Sequence, residues 1–131
     1  MHYLAKLTKL SNTQKYAKNT VIISENSNAP YSLYVILKGE VQVYKNHSLA
    51  NAYLIATLGP GDFFGEMSLY LMQQRTATVV TTTETIVIEL DQSNAQKFLR
   101  DHPEFTHNMI RTLCSRIDDL NQRLSHKFNR L

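Results

Sequence analysis

One arginine and one glutamate stand out in this sequence because of the uncharged residues around them. Between Glu66 and Glu84 the only charged residue is Arg75, and apolar residues lie close to it on both sides. An isolated guanidinium in such surroundings needs a partner, because burying an unpaired charge is costly. We expect that partner to be either Glu66 or an anionic ligand.

The residues at Gly65 and Glu66 suggest what such an anion would be. A helical turn that begins there would direct its free backbone N–H groups toward a bound anion, and Gly65 would permit close approach. Arg75 could form a bidentate pair with phosphate oxygens. Glu66 would then need another donor, such as a ribose hydroxyl, which indicates a nucleotide. On spacing alone, however, Arg75 is more commonly explained as a surface arginine, and Glu66 as an ordinary glutamate at a helix start, than as parts of a phosphate site.

Short apolar runs with period-two character follow from Thr20 onward, and they predict the strands that would position these residues. The predicted strands are residues 21–23, 33–37, 41–44, 52–58, 77–80 and 86–88. Polar turns that are rich in Asn, Gly and Pro separate them. Several short strands at this spacing favour a sandwich, a jelly roll or a barrel.

Helical patterns lie at both ends of the chain. Residues 2–18 predict a short helix followed by irregular polar chain, and residues 93–101 predict a second helix. A long helix is predicted from Pro103, since proline suits a first helical position. Its apolar residues follow steps of three and four, so they predict either a coiled-coil dimer seam or packing on the barrel. This seam consists of Ile110, Leu113, Ile117, Leu120 and Leu124.

Composition limits the classes of protein to consider. A chain of 131 residues, 43% hydrophobic and 19% charged, predicts one folded domain. We expect a cytoplasmic protein, because no apolar run could span a bilayer and no signal-peptide pattern opens the chain. The net charge of +3 comes from dispersed cations and does not indicate a nucleic-acid groove. The single cysteine, Cys114, is expected to be a buried, inert thiol.

Enzymatic and metal-dependent alternatives find little support in the residues. A metalloenzyme of the cupin-like barrels would need clustered histidines, and the histidines here are scattered at His2, His47, His102, His107 and His126. Common hydrolase and phosphate-loop motifs are absent. A haem or redox sensor would need a cysteine cluster or an axial ligand near the start of the chain. We therefore expect no enzyme activity, no metal and no cofactor.

Three segments together resemble the cyclic-nucleotide-binding domain family. They are residues 33–43, 61–69 and 75–79, and the resemblance extends from about Leu4 to about Leu124. The nine-residue step from Glu66 to Arg75 is also one that the family uses in its phosphate-binding cassette, here residues 64–77. The family implies a mainly β fold, an antiparallel β-roll or jelly roll (double-stranded β-helix), with a short N-terminal helix and a long C-terminal helix. We expect one domain over residues 1–131, with the β-roll at about 20–91 and the C-terminal helices at about 92–128.

The resemblance also implies roles for individual residues. Arg75 would pair with the cyclic phosphate of cyclic AMP or cyclic GMP, and Glu66 would accept a hydrogen bond from the ribose 2′-hydroxyl. Backbone N–H groups of residues 65–68 and of Ala77 would complete the phosphate cradle, and the Thr76 hydroxyl admits either nucleotide. The ligand-binding residues implied in this way are Phe64, Gly65, Glu66, Met67, Ser68, Arg75, Thr76, Ala77, Val43, Ile55 and Asn121.

Other implied roles concern the base and the turns. Val43 and Ile55 resemble the apolar wall beneath the base, and Gly39 resembles the family's tight-turn glycine. On the long helix, Leu120 and Asn121 are expected to face the base, with Arg116 near the phosphate.

The sequence departs from the family in two loops. In the first loop, where the family often has Gly, the sequence reads Asn26-Ser27-Asn28. In the second loop, where the family often has Gly or Pro, it reads Met72-Gln73-Gln74. The first departure is tolerable, since asparagine accepts left-handed geometry better than most residues. The second puts the shape of the cradle in question.

The resemblance implies a regulatory sensor in which ligand binding draws in the cassette and the C-terminal helix closes over the base. A homodimer through that helix is a further expectation, as is the absence of direct DNA binding and of a membrane segment within this chain. Too few residues follow Leu124 for a helix-turn-helix domain, which predicts either a regulatory fragment or a stand-alone sensor. The alternative is a vestigial β-roll that binds no ligand and serves only dimerisation or interaction.

Overall fold

The computed structural model describes residues 12–28 and 30–129, with the side chains of residues 128 and 129 left out. Its elements, in chain order, are β1 (Thr13–Tyr16), β2 (Val21–Ile23), β3 (Leu33–Lys38), β4 (Val41–Lys45), β5 (Tyr53–Leu58), β6 (Phe63–Phe64), α1 (Glu66–Leu71), β7 (Thr78–Thr81), β8 (Thr85–Leu90), α2 (Gln92–Asp101) and α3 (Pro103–Asn129). All six predicted strands are confirmed to within two residues at either end.

The strands form two antiparallel sheets of four, which confirms the predicted β-roll. One sheet has the order β1-β8-β3-β6 and the other β2-β7-β4-β5. Consecutive strands therefore alternate between sheets at several points, as expected of a jelly roll. β6 and β7 lie at the two ends of the cassette. β6 belongs to the first sheet, whereas β7 lies in the second sheet with β4 and β5.

Strand β3 lies at the centre of the core, with residues 33–37 all buried. Leu33, Val35 and Leu37 pack on the side of α2 and α3, whereas Tyr34 and Ile36 pack toward the second sheet. Because both faces of this strand are covered, its sequence reads as a continuous apolar run rather than an alternating one. The helices and the second sheet thus pack on opposite faces of β3.

The prediction for the start of the chain was wrong where the structure describes it. Residues 13–16 form β1, which pairs with β8, so the β-roll already includes residues before the predicted start near residue 20. The sequence Thr-Gln-Lys-Tyr is almost wholly polar and exposed, so it carries no period-two signal. The predicted short helix otherwise falls on residues outside the described part of the chain.

The C-terminal helices are confirmed, but the long one contributes to the hydrophobic core only through its first turns. Phe105 and Met109 are buried in the core, and Leu113 packs against it. Beyond that point α3 is exposed, and Cys114 is exposed with it, which corrects the expected burial of this thiol. No helix in the described residues is both long enough and apolar enough to cross a membrane.

Candidate functional site: a cavity between the cassette and the long helix

Gly65 joins β6 to α1 in a conformation that requires glycine. Its φ is +85°, in the left-handed region, and a Cβ there would lie 2.5 Å from the Ser32 carbonyl oxygen and 2.8 Å from Arg75 Nη1. Gly65 is also the N-cap of α1, and within the described residues no side chain caps the helix. The first N–H groups of α1 therefore receive no hydrogen bond from a capping side chain in that part of the chain.

The partners of Arg75 are backbone carbonyls, which sequence reasoning did not foresee. The side chain is only 3% exposed. Nη1 donates to the carbonyl oxygens of Ser32 at 3.1 Å and Gly65 at 3.2 Å, and Nη2 donates to that of Pro30. Within the described residues Arg75 forms no ion pair, so its charge is solvated by dipoles without being neutralised. The guanidinium is held in place while it keeps a net positive charge.

Burial sets the electrostatics around Arg75. Loss of solvent lowers the pKa of Arg75, and the nearby Tyr34, Glu89 and Glu66 act in the opposite direction. Burial also raises the pKa of Tyr34 to about 12, with a smaller contribution from Glu89 in the same direction. The guanidinium lies 5.8 Å from the centre of the Tyr34 ring. Even lowered, an arginine pKa stays far above neutrality, so the site is cationic.

Backbone hydrogen bonds join the turn at Asn26 to Arg75. Asn26 has a φ of 70°, so it adopts the left-handed geometry predicted for it where the family often has glycine. Its N–H donates to the Arg75 carbonyl at 2.8 Å, and the Arg75 N–H donates to the Ser27 carbonyl at 2.9 Å. The departure from the family pattern in this loop is therefore accommodated.

Lys45 binds the other end of the cassette. Its Nζ donates to the Thr76 carbonyl at 2.8 Å and forms an ion pair with Glu25 at 2.9 Å. The Glu25 carboxylate also accepts from the Asn46 N–H at 2.8 Å. Hydrogen bonds from Lys45 and from Asn46 lower the pKa of Glu25, against a smaller opposing effect of burial. These contacts position Thr76, whose side chain is exposed at the cavity.

Glu66 pairs with the long helix and not with Arg75. Its Oε1 lies 3.3 Å from Nη1 of Arg116. The Arg116 guanidinium also lies 5.2 Å from the centre of the Phe63 ring. Arg116 is therefore beside the cassette, close to where the resemblance placed it, but it contacts the carboxylate expected to bind a ribose.

These elements enclose a cavity of about 390 Å³, within the range of small-molecule sites. Its polar end is formed by the cassette and its apolar wall by β4, β5 and β7. Ten of the eleven predicted ligand-binding residues line it: Phe64, Gly65, Glu66, Met67, Ser68, Arg75, Thr76, Ala77, Val43 and Ile55. The cassette and the wall beneath the base are thus brought together as the resemblance implied.

The helical wall of the cavity differs in part from the prediction. Leu120 and Arg116 line it, together with Asp119 and Arg123, which sequence reasoning missed. Asn121 is exposed and does not line the cavity. Successive helical residues are rotated by about 100°, so a face that carries residues 116, 119, 120 and 123 turns Asn121 away. The three-and-four spacing of these charged residues was the signal that could have revealed them.

The loop after α1 takes an unusual backbone conformation at Met72. This residue has φ 53° and ψ 46°, the left-handed geometry that glycine adopts most readily. Its side chain is exposed, and Gln92 Nε2 lies 2.7 Å from its sulfur. The loop therefore keeps the backbone path expected of a glycine while carrying a side chain.

Comparison with known proteins decides the family. The profile of the family described as cyclic nucleotide-binding domain matches residues 13–102, more than half of the chain. The chain is a cyclic nucleotide-binding domain. The match ends just before α3, so the domain's cassette and both sheets lie inside the matched residues.

Relatives of this cyclic nucleotide-binding domain include bacterial and fungal regulators. It is 26% identical over 122 residues to the CRP-like cAMP-activated global transcriptional regulator of Mycobacterium tuberculosis, covering 93% of this chain and 54% of that protein. It is 36% identical over 98 residues to the cAMP-dependent protein kinase regulatory subunit of Candida albicans, covering 75% of this chain and 20% of the subunit.

A solved structure gives the same fold. The crystal structure of Thermus thermophilus catabolite activator protein matches with a TM-score of 0.75 and 27% identity, covering 95% of this chain and 59% of that one. The cyclic nucleotide-binding domain thus spans about half the length of the bacterial regulators it matches.

Proposed function

We propose that this domain binds cyclic AMP or cyclic GMP in the 390 Å³ cavity and reports binding through α3. The cyclic phosphate pairs with Arg75 and with the first N–H groups of α1. The ribose 2′-hydroxyl donates to Glu66, and the base lies between the wall of Val43 and Ile55 and the helix at Leu120. The observation that carries this proposal is the buried Arg75 guanidinium, which is held by carbonyls and has no carboxylate partner in the described residues.

Charge supports a phosphate as the occupant. A buried cation in a low-dielectric site gains most from an anion, and a phosphate offers two oxygens to a planar guanidinium. Within the described part of the chain the guanidinium donates three hydrogen bonds to carbonyls, and it has five N–H groups, so donors remain for the ligand. The uncapped start of α1 offers further donors at the same end of the cavity.

We propose that the domain reports ligand binding through a change in the position of α3. Arg116, Asp119, Leu120 and Arg123 place one face of this helix on the cavity, so a bound base contacts it directly. A ligand changes the helix equilibrium only by its differential affinity for the two helix positions. In this proposal the chain is a cytoplasmic sensor module with no catalytic step, no metal or cofactor and no direct contact with DNA.

We also propose that α3 forms a homodimer seam. Four of the five predicted seam residues are exposed in the single chain: Ile110, Ile117, Leu120 and Leu124, at 56%, 57%, 61% and 58%. Such a row of large exposed apolar residues at coiled-coil spacing favours a second copy of the helix. Sedimentation equilibrium tests this: Ile117→Glu should give monomer where wild type gives dimer, and the neighbouring Ser115→Glu should not.

Thermal unfolding with cyclic AMP, cyclic GMP and cyclic di-GMP tests the ligand. A nucleotide at 100 times its Kd should add about 2.7 kcal/mol, a rise in Tm of several degrees. Arg75→Ala should abolish this rise, whereas Arg100→Ala, which removes an exposed arginine on α2, should keep it. Arg75→Ala should also lower the Tm without ligand, since it leaves buried carbonyls unpaired.

The vestigial alternative makes the opposite prediction. If the β-roll serves only dimerisation, none of the three nucleotides shifts the Tm of the wild type, and Arg75 contributes to stability alone. The Arg75→Ala variant would then lose the same number of degrees with and without nucleotide.

A further inference from the structure

Behind Arg75, one buried residue contacts both the guanidinium and a carboxylate. Ser32 is 1% exposed, and its carbonyl oxygen accepts from Arg75 Nη1 at 3.1 Å. Its hydroxyl donates to Oε2 of Glu89 at 2.9 Å. Ser32 thus connects the carboxylate of Glu89 to the guanidinium of Arg75. Because Pro30 lies two residues before Ser32, the same short segment supplies two of the three carbonyls around Arg75.

Glu89 is itself held from three directions. Its other oxygen, Oε1, accepts from Gln14 Nε2 at 2.7 Å. Its backbone carbonyl accepts from Asn12 Nδ2 at 3.0 Å, and its N–H donates to the Asn12 carbonyl at 3.3 Å. In the antiparallel pairing of β3 with β8 it lies opposite Tyr34. Both carboxylate oxygens are therefore engaged, which leaves Glu89 little rotational freedom.

In this arrangement the groups that hold the Arg75 guanidinium in place do not neutralise its charge. A carboxylate in direct contact with the guanidinium would compete with a phosphate for the same N–H groups. Here the carboxylate of Glu89 contacts the Ser32 hydroxyl, and no carboxylate of the described residues forms an ion pair with Arg75. Coulombic attraction by Glu89 still favours the charged guanidinium.

We propose that Glu89 is a positioning residue for phosphate binding, which it serves by orienting the Ser32 carbonyl and, through it, Arg75. This inference rests on the proposed function, because it concerns the affinity of the same site. It also makes β1 and the residue before it part of the binding machinery, since Gln14 of β1 and the preceding Asn12 hold Glu89. Loss of the Ser32 hydroxyl or of the Glu89 charge should let the guanidinium leave the geometry that a phosphate needs.

Affinity measurements on three variants test the proposal. Ser32→Ala removes the bridging hydroxyl, Glu89→Gln removes the charge at nearly constant shape, and Glu84→Gln removes an exposed carboxylate paired with Lys15. Isothermal titration with cyclic AMP and cyclic GMP should give a Kd raised about fivefold for the first two variants and unchanged for the third. Circular dichroism without ligand checks that each variant is folded. If Glu89→Gln does not fold, Ser32→Ala decides the outcome.

A double-mutant cycle separates positioning from a general structural effect. On an Arg75→Lys background, which lacks the planar guanidinium, Ser32→Ala should change the Kd by less than about twofold. An undiminished effect there would show that the loss does not pass through Arg75 and would overturn the proposal. Equal Kd values for wild type, Ser32→Ala and Glu89→Gln would also overturn it, while leaving the proposed function intact. Absence of binding by the wild type overturns the proposed function and this inference together.

Discussion

Arg116 of α3 and Glu66 of α1 form an ion pair of 3.3 Å that joins the long helix to the cassette. The Glu66 side chain is 14% exposed and the Arg116 side chain 43%. A ribose hydroxyl at Glu66 would bind the same carboxylate that contacts α3, so the ligand and the helix share one partner. Because the Arg116 side chain is partly exposed to solvent, the pair is worth no more than about 1 kcal/mol. Such a contact is weak enough to be rearranged by a ligand.

Loss of Arg116 should loosen α3 in the ligand-free protein. Arg116→Ala removes the pair with Glu66 and the contact with Phe63, so amide exchange over about residues 110–124 should accelerate about two- to fivefold. Arg111→Ala, an exposed arginine on the same helix, serves as the control. Identical exchange rates in the two variants would contradict a role for the pair in holding α3.

Gly65 and Gly59 should respond to alanine in opposite directions. Gly65→Ala places a Cβ against the Ser32 carbonyl and Arg75 at positive φ, so it should destabilise the fold by more than about 1 kcal/mol and abolish nucleotide binding. Nothing lies within 4 Å of a Cβ at Gly59, so alanine there should be neutral or stabilise by up to about 1 kcal/mol. Urea unfolding measures both changes. Similar losses at the two positions would refute the steric explanation.

Replacing Met72 with glycine should stabilise the folded state, even though the side chain is lost. Its φ of 53° costs a non-glycine residue free energy, so Met72→Gly should raise the free energy of unfolding by about 1 kcal/mol. The adjacent Leu71→Gly, at the last residue of α1, should lower it, because glycine disfavours helix. The urea midpoints of the two variants should lie on either side of wild type, and a lower midpoint for Met72→Gly would contradict the prediction.

The ion pair of Glu25 with Lys45 should contribute to stability in a pH-dependent way. Hydrogen bonds from Lys45 and Asn46 lower the pKa of Glu25 in the folded state below its ordinary value of 4.5. The contribution is therefore complete above about pH 4.5 and is lost as pH falls through the lower, folded-state pKa, because the unfolded chain takes up its proton first.

Thermal unfolding from about pH 3 to about pH 7 tests this dependence. The Tm of wild type should exceed that of Glu25→Gln above pH 4.5, and the gap should narrow as the solution is acidified. Lys45→Gln, which removes the other partner, should flatten the acid dependence in the same way. Parallel curves for wild type and Glu25→Gln would show that the pair does not couple to folding.

Much of the fold and of the site could be predicted from local patterns. Period-two apolar runs located six strands, and the Gly65-Glu66 turn with Arg75 nine residues after Glu66 located the cassette. The polar strand β1 was not predicted, because an exposed edge strand has no apolar face and so shows no alternation of apolar and polar residues. Burial of Cys114 was wrongly expected, because apolar neighbours along a helix do not reveal where that helix leaves the core.

Local sequence patterns predicted six of the eight described strands, the residues of the cassette and the lone arginine within it. What those side chains contact follows from the packing of the whole domain. Arg75 meets the carbonyl of Ser32, 43 residues away, and Glu66 meets Arg116, 50 residues away. The reason is physical: periodicity and turn chemistry act over a few neighbouring residues, whereas the partner of a buried charge depends on which distant backbone the packed core brings within 3 to 4 Å.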